Sequence, residues 1–107
     1  MRIISFSQRW PKLLNQEFTT FRYPRKDKDW FVGEAVQIFF KSRSPQREKL
    51  GDAIIVNKVL RFGPRDDKEA QDDGFIDTAD MERWMRKTYG EAKLWERINK
   101  LTLKRVG

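Results

Sequence analysis

Short runs of alternating apolar and polar residues, separated by charged segments carrying proline or glycine, pattern this chain as a small sheet with a few helices. Arg2 to Phe6 predicts a first strand. Ser7 is placed to cap a short helix with Trp10, Leu13 and Leu14 on one face and Pro11 in its first turn. Phe18 to Arg22 predicts a second strand, and Tyr23 to Asp29 a charged loop turning at Pro24. Glu34 to Lys41 predicts a third strand, with Val36, Ile38 and Phe40 facing one way and Gln37 and Phe39 the other. Ser42 to Leu50 reads as a basic loop around Pro45.

Residues 52–62 predict a long fourth strand. Ile55 and Val59 lie on one face; Ile54, Val56, Leu60 and Phe62 lie on the other, so the pattern implies burial on both sides. Gly63 to Asp73 reads as a polar, mobile connection. Asp77 or Thr78 then caps a helix whose Met81, Trp84, Met85 and Thr88 share a face, and Gly90 ends it. Ile98 to Val106 closes the chain as a strand with Leu101 and Leu103 alternating. No internal repeat or low-complexity segment interrupts this order.

The length of 107 residues bounds the chain to one domain, residues 1–107. With no cysteine and no histidine, disulfides, thiolate metal sites and serine–histidine or cysteine–histidine mechanisms are excluded, and no cofactor or metal is implied. No segment reaches the ~20 apolar residues that span a bilayer, so the expected setting is soluble and cytoplasmic, with no membrane partner.

The net charge of +7 favours a polyanionic partner, and its distribution says more. Residues 1–50 hold 11 Lys/Arg against 5 Asp/Glu, a balance of +6; residues 51–107 hold 12 against 11, a balance of +1. The positive field belongs to the half that carries the second strand.

On that strand Thr20 and Arg22 project from one face beside Phe18, a hydroxyl and a guanidinium able to grip a phosphate or a small polar substrate. Arg22 has a plainer alternative, an ion pair with Glu34 or Glu17, and Thr20 suits any pleated surface. Asp66, Asp67, Asp72 and Asp73 lack calcium-loop spacing and read first as a solvated connection. Met81, Trp84 and Met85 read as core, and Trp10 as a wedge between helix and barrel. Tyr23, Arg25, Lys26, Lys28 and Trp30 come from one loop; Lys41, Arg43, Arg47 and Lys49 come from another. Both flank the third strand and are expected to rim the same end or side of the sheet, either as phosphate contacts with stacking rings or as a solubilising rim.

The order of elements, with the Trp10–Leu14 helix, Thr19-Thr20-Phe21-Arg22, Gly33-Glu34, Asp72-Asp73-Gly74-Phe75, Trp84, Tyr89 and the closing strand, resembles the ASCH domains of the PUA-like superfold. The resemblance covers nearly the whole chain and implies an α+β fold, a small PUA-like β-barrel with flanking helices and a cleft beside the barrel. The family signature Gly-x-Lys-x-x-Glu-x-Arg, with threonine for glutamate in one branch, falls on Asn15, Glu17, Thr20 and Arg22. Arginine and the branch threonine are present; the glycine and the lysine are replaced.

The function implied first is nucleic-acid binding, with RNA as the partner. Arg22 would contact a phosphate or base edge in the cleft, and the loops with Tyr23, Arg25, Lys26, Lys28, Lys41, Arg43, Arg47 and Lys49 would follow the backbone. The alternative is a metal-independent hydrolase acting on a modified nucleoside or on RNA. Similar bacterial members are amidohydrolases on acetylated cytidine that use the motif lysine, a threonine and a glutamate near the flanking helix. By that resemblance Thr20 matches the threonine, Asp73 falls near the glutamate, and Glu17 stands in place of the lysine.

Overall fold

The computed structural model describes residues 1–8, 10–62 and 66–106, with the backbone alone at 94 and 95. Five strands form one curled mixed sheet: β1 Arg2–Phe6, β2 Glu17–Arg22, β3 Ala35–Phe40, β4 Glu48–Arg61 and β5 Ile98–Val106, in the order β1-β3-β4-β5-β2. β1 runs parallel to β3, and every other pairing is antiparallel. Two helices, α1 Asp67–Asp72 and α2 Thr78–Tyr89, connect β4 to β5, followed by a 3₁₀ turn at Glu91–Trp95. The molecule is thus a small α+β domain built on a half-barrel. Among the described residues no helix is long and apolar enough to cross a membrane.

Curling the sheet brings its two edge strands, β1 and β2, toward each other. Side chains rather than a backbone ladder join them. Arg22 Nη2 on β2 donates to the Ser5 carbonyl on β1 at 2.8 Å, and the Phe6 and Phe18 rings meet edge-on at 6.2 Å. An edge carbonyl and the row of groups around it are thereby covered without a further strand.

Two apolar clusters follow from strand alternation. Ile4, Phe18, Ile38, Ile55, Leu101 and Leu103 fill the concave side. Phe21 and Ile98 turn outward and pack with Ala70, Phe75, Met81 and Met85 beneath the helices. Trp10 packs against both clusters, so it does act as a wedge. The Met81/Met85 stripe is buried as its spacing predicts.

Several expectations are corrected. The segment after β1 is a 3₁₀ turn, Pro11–Leu14, that begins at Trp10 with no side-chain cap; Ser7 does not cap it. Pro11 supplies the first helical φ and holds Trp10 extended, which starts the turn by itself. With about three residues per turn, Leu13 returns to the core while Leu14 points to solvent, 88% exposed.

The fourth strand is not buried on both sides. Its first half pairs with β3, but beyond Ile54 it pairs with β5 alone, and a register shift between Ile55 and Asn57 breaks the alternation. Val56, Val59, Leu60 and Phe62 are consequently exposed. Part of the segment expected to be loop, residues 67–72, is helix α1. Asp66 caps it by accepting from Glu69 N–H at 2.9 Å, and Glu69 ties it to Arg61 and Lys100 of the sheet. Residues 63–65 of that expected loop lie outside the described residues.

Candidate nucleotide cleft

A cleft of about 950 Å³ opens along β1 and the end of β2, with α2 on its far side. β2 ends with Thr20 and Arg22 on one face, as alternation dictates. Both line the cleft, and Arg22 Nε donates to Thr20 Oγ1 at 3.2 Å. The guanidinium also lies over the Phe6 ring at 4.7 Å. Arg22 does not pair with either carboxylate considered for it. Glu34 instead receives Arg2, with Nε 2.6 Å from Oε2, and Glu17 is exposed at the far end of β2 opposite Lys104.

The floor of the cleft holds a group the signature does not indicate. Lys12, on the Pro11–Leu14 turn, places Nζ 2.8 Å from Asp73 Oδ1. Lys12 is 7% exposed and Asp73 4%, and Thr19 Oγ1 stands 3.4 Å from the same carboxylate oxygen. Asp73 is fixed because it is the C-cap of α1. Gly74 follows at φ +107, packed so closely on the Trp10 ring that a Cβ would fall 2.8 Å from Cε3.

Burial pushes the Lys12 ammonium below its ordinary range; attraction to Asp73 partly offsets this, and Arg22 adds repulsion. Burial likewise pushes the Asp73 carboxyl up, against the pull of Lys12, Arg22 and the Thr19 hydrogen bond. Both partners are moved toward their neutral forms because burial penalises each charge.

One wall of the cleft is aromatic. Trp10 and Phe75 have centroids 5.2 Å apart, Phe75 and Trp84 5.5 Å, Trp84 and Tyr89 5.9 Å, and Tyr89 and Tyr23 5.0 Å. All five rings line the cavity, so the wall is continuous. Tyr23 OH is held by the Lys93 carbonyl at 2.8 Å.

The cleft is also cationic: Arg2, Lys12, Arg22, Arg25, Lys41 and Arg43 line it, with Asp73 as the single lining carboxylate among the described residues. Asp73 pairs with Lys12, Glu34 pairs with Arg2, and Asp27 sits 3.3 Å from Arg25. Arg22, Lys41 and Arg43 have no ion-pair partner among the described residues, although Asp73 attracts Arg22.

The two basic loops stand at opposite ends of β3, not at one end. A strand with one loop entering and one leaving must separate them, here by six residues or ~20 Å. They reach the cleft from its two ends, and each contributes in part. Tyr23, Arg25, Lys41 and Arg43 line it. Lys26 and Lys28 lie outside it, as do Arg47 and Lys49; Lys28 caps the Phe31 ring at 4.7 Å, and Lys49 pairs with Asp52 at 3.1 Å. Among the described residues no group of three or more carboxylates is placed to hold a metal ion.

Asp29 orders the first loop. It accepts from Trp30 N–H at 2.8 Å, Asn99 Nδ2 at 2.9 Å and Lys58 Nζ at 2.8 Å, joining the loop to β4 and β5. Lys12 and Asp29 were both missed in the sequence. The one local signal for Lys12 was a lysine set between Trp10 and Leu13 in an otherwise apolar turn. No family model, curated protein or solved structure matches the chain, so its residues alone carry any functional reading.

Proposed function

We propose that this domain binds RNA, taking a nucleotide of a single strand into the cleft. The observation that carries the reading is the presence, in one cavity, of a continuous row of five rings and of three cations without an ion-pair partner among the described residues. Rings stack on unpaired bases whatever their identity, and guanidinium and ammonium groups neutralise phosphates. The PUA-like, ASCH-type resemblance is consistent with this use of a cleft beside a small barrel. Titration with a labelled single-stranded RNA at two salt concentrations tests it. Affinity should fall with salt, with a log–log slope of about −0.7 per phosphate neutralised. Arg22→Ala should weaken it further; binding indifferent to salt, or absent at low salt, defeats the proposal.

A second reading, hydrolysis of an acylated nucleoside, is favoured by the Lys12–Asp73 pair, which lines the same cleft as Thr20. Lys12 comes from a different element than the signature lysine, and Glu17 stands outside the cleft. In this scheme the Asp73 carboxylate takes a proton from water as the water oxygen bonds to the amide carbonyl carbon. The C–N bond then breaks and the proton passes from Asp73 to the leaving amine, while the Thr20 hydroxyl positions the substrate. Thr20→Val should abolish turnover and Thr20→Ser should retain it. Equal activity in both variants removes Thr20 from the chemistry.

A further inference from the structure

The two elements that carry the cations Arg22, Lys41 and Arg43, the end of β2 and the 41–44 loop, meet at Ser5. Its carbonyl accepts Arg22 Nη2 at 2.8 Å, and its Oγ accepts the backbone N–H of Ser42 at 3.0 Å, which places the 41–44 loop against the same residue. That loop enters the corner in a fixed conformation. Lys41 N–H donates to the Phe6 carbonyl at 2.9 Å, Ser44 N–H returns to the Lys41 carbonyl at 3.0 Å, and Lys41 adopts φ +46.

The donors there are largely unspent. Arg22 commits Nε to Thr20 and one Nη2 hydrogen to Ser5, so the remaining N–H groups of its fork have no acceptor among the described residues. Lys41 has one hydrogen-bond acceptor among the described residues, the Gln46 side-chain oxygen at 3.3 Å, and lies over the Phe40 ring at 5.4 Å. Arg43 has no polar partner among the described residues. Ser42 and Ser44 of the same loop also line the cleft. The opposite end differs, because Arg2 and Arg25 there are each held by a carboxylate.

We infer that the Ser5 corner, formed by Arg22, Lys41, Ser42, Arg43 and Ser44, is a phosphate subsite. The cleft therefore selects phosphorylated nucleotides over nucleosides, with the base toward the Trp84/Tyr89 wall. A planar fork and a second free guanidinium match the oxygens of a phosphate ester, and the hydroxyls complete the shell. This rests on the reading that the cleft takes a nucleotide. The phosphate belongs either to a free mononucleotide or to the RNA chain, and the chemistry of recognition is shared.

The test follows intrinsic tryptophan fluorescence during titration with each ribonucleoside, its 5′- and 3′-monophosphates, and a short single-stranded RNA. The proteins are wild type, Lys41→Ala/Arg43→Ala, and Lys26→Ala/Lys28→Ala, which removes equal charge outside the cleft. A monophosphate should bind about tenfold or more tightly than its nucleoside, and that advantage should vanish in the Lys41/Arg43 variant but persist in the Lys26/Lys28 variant. Binding of RNA without binding of a monophosphate, but with the same selective loss in the Lys41/Arg43 variant, assigns the subsite to the chain phosphate. RNA binding that both variants reduce equally overturns the subsite while leaving RNA binding intact. Monophosphate selectivity without RNA binding defeats the RNA reading and keeps the subsite. Indifference of every ligand to the Lys41/Arg43 variant overturns the inference.

Discussion

Lys12 and Asp73 stand 61 positions apart in the chain and 2.8 Å apart in the fold, where their ion pair forms the floor of the cleft. Neither finds its charged partner among its neighbours in sequence. A 3₁₀ turn ahead of β2 and the end of α1 beyond β4 deliver them to one point, with Thr19, Thr20 and Arg22 around it.

A buried pair of this kind is costly to break and cheap to replace. Lys12→Met or Asp73→Leu alone leaves one buried charge without its partner and should destabilise the fold by about 3–5 kcal/mol. The double variant should recover most of that loss, because dehydration of both charges is relieved together. Denaturant melts of the four proteins give the coupling. Additive losses would show that the pair does not act as a unit.

Arg22 should resist conservative replacement. Arg22→Lys keeps the charge but cannot reach Thr20 and the Ser5 carbonyl with one planar fork. The expected loss is about 1–2 kcal/mol of stability, from hydrogen bonds to a charged donor. Amide exchange should quicken along β1, because the seam between the edge strands opens there. Unchanged protection at Ser5 and its neighbours would mean that the Phe6–Phe18 contact holds the seam alone.

Gly74→Ala should be destabilising for two separable reasons. The residue sits at φ +107, and its Cβ would press on the Trp10 ring. Removing the ring in a Trp10→Ala background relieves the collision but not the backbone strain. The cost of Gly74→Ala should therefore fall, by about 1 kcal/mol or more, without reaching zero. An identical cost in both backgrounds would exclude the ring contact.

The Asp29 hub predicts part of the acid sensitivity. Burial raises its carboxyl, but hydrogen bonds from Lys58, Trp30 N–H and Arg25 N–H outweigh this and hold it below its ordinary value. A carboxyl with a depressed folded value contributes stability above its unfolded value of about 3.9, and loses it as pH falls through the folded value. Melting temperatures followed downward from neutral pH should drop less steeply in Asp29→Asn than in wild type. Parallel curves would show that Asp29 does not titrate with unfolding.

Most of the local structure was legible because it is written in short-range periodicity. β1, the closing strand β5, and the helix from Thr78 with its Asp77 cap and Gly90 stop fall where alternation, helical spacing and capping chemistry place them. Thr20 beside Arg22 is legible for the same reason: two residues apart on a strand means one face. The absence of histidine and cysteine, and the concentration of positive charge before residue 51, are likewise properties of the chain alone.

What required the tertiary structure is whatever depends on where an element ends up. Val56, Leu60 and Phe62 look like core in sequence, yet β4 outruns β3 and leaves them exposed, since burial is decided by the neighbour and not by the side chain. Lys12 looks like a surface lysine, yet the Pro11–Leu14 turn places it over the barrel floor against Asp73. Glu17 fits the signature in spacing, but β2 carries it to the end away from the cleft. The aromatic wall draws its rings from the segment before Pro11, the loop after β2, the residue after Gly74 and α2. Curling of the sheet and docking of α2 bring those rings and the cations of β2 and the 41–44 loop into one cleft, and no local pattern encodes that meeting.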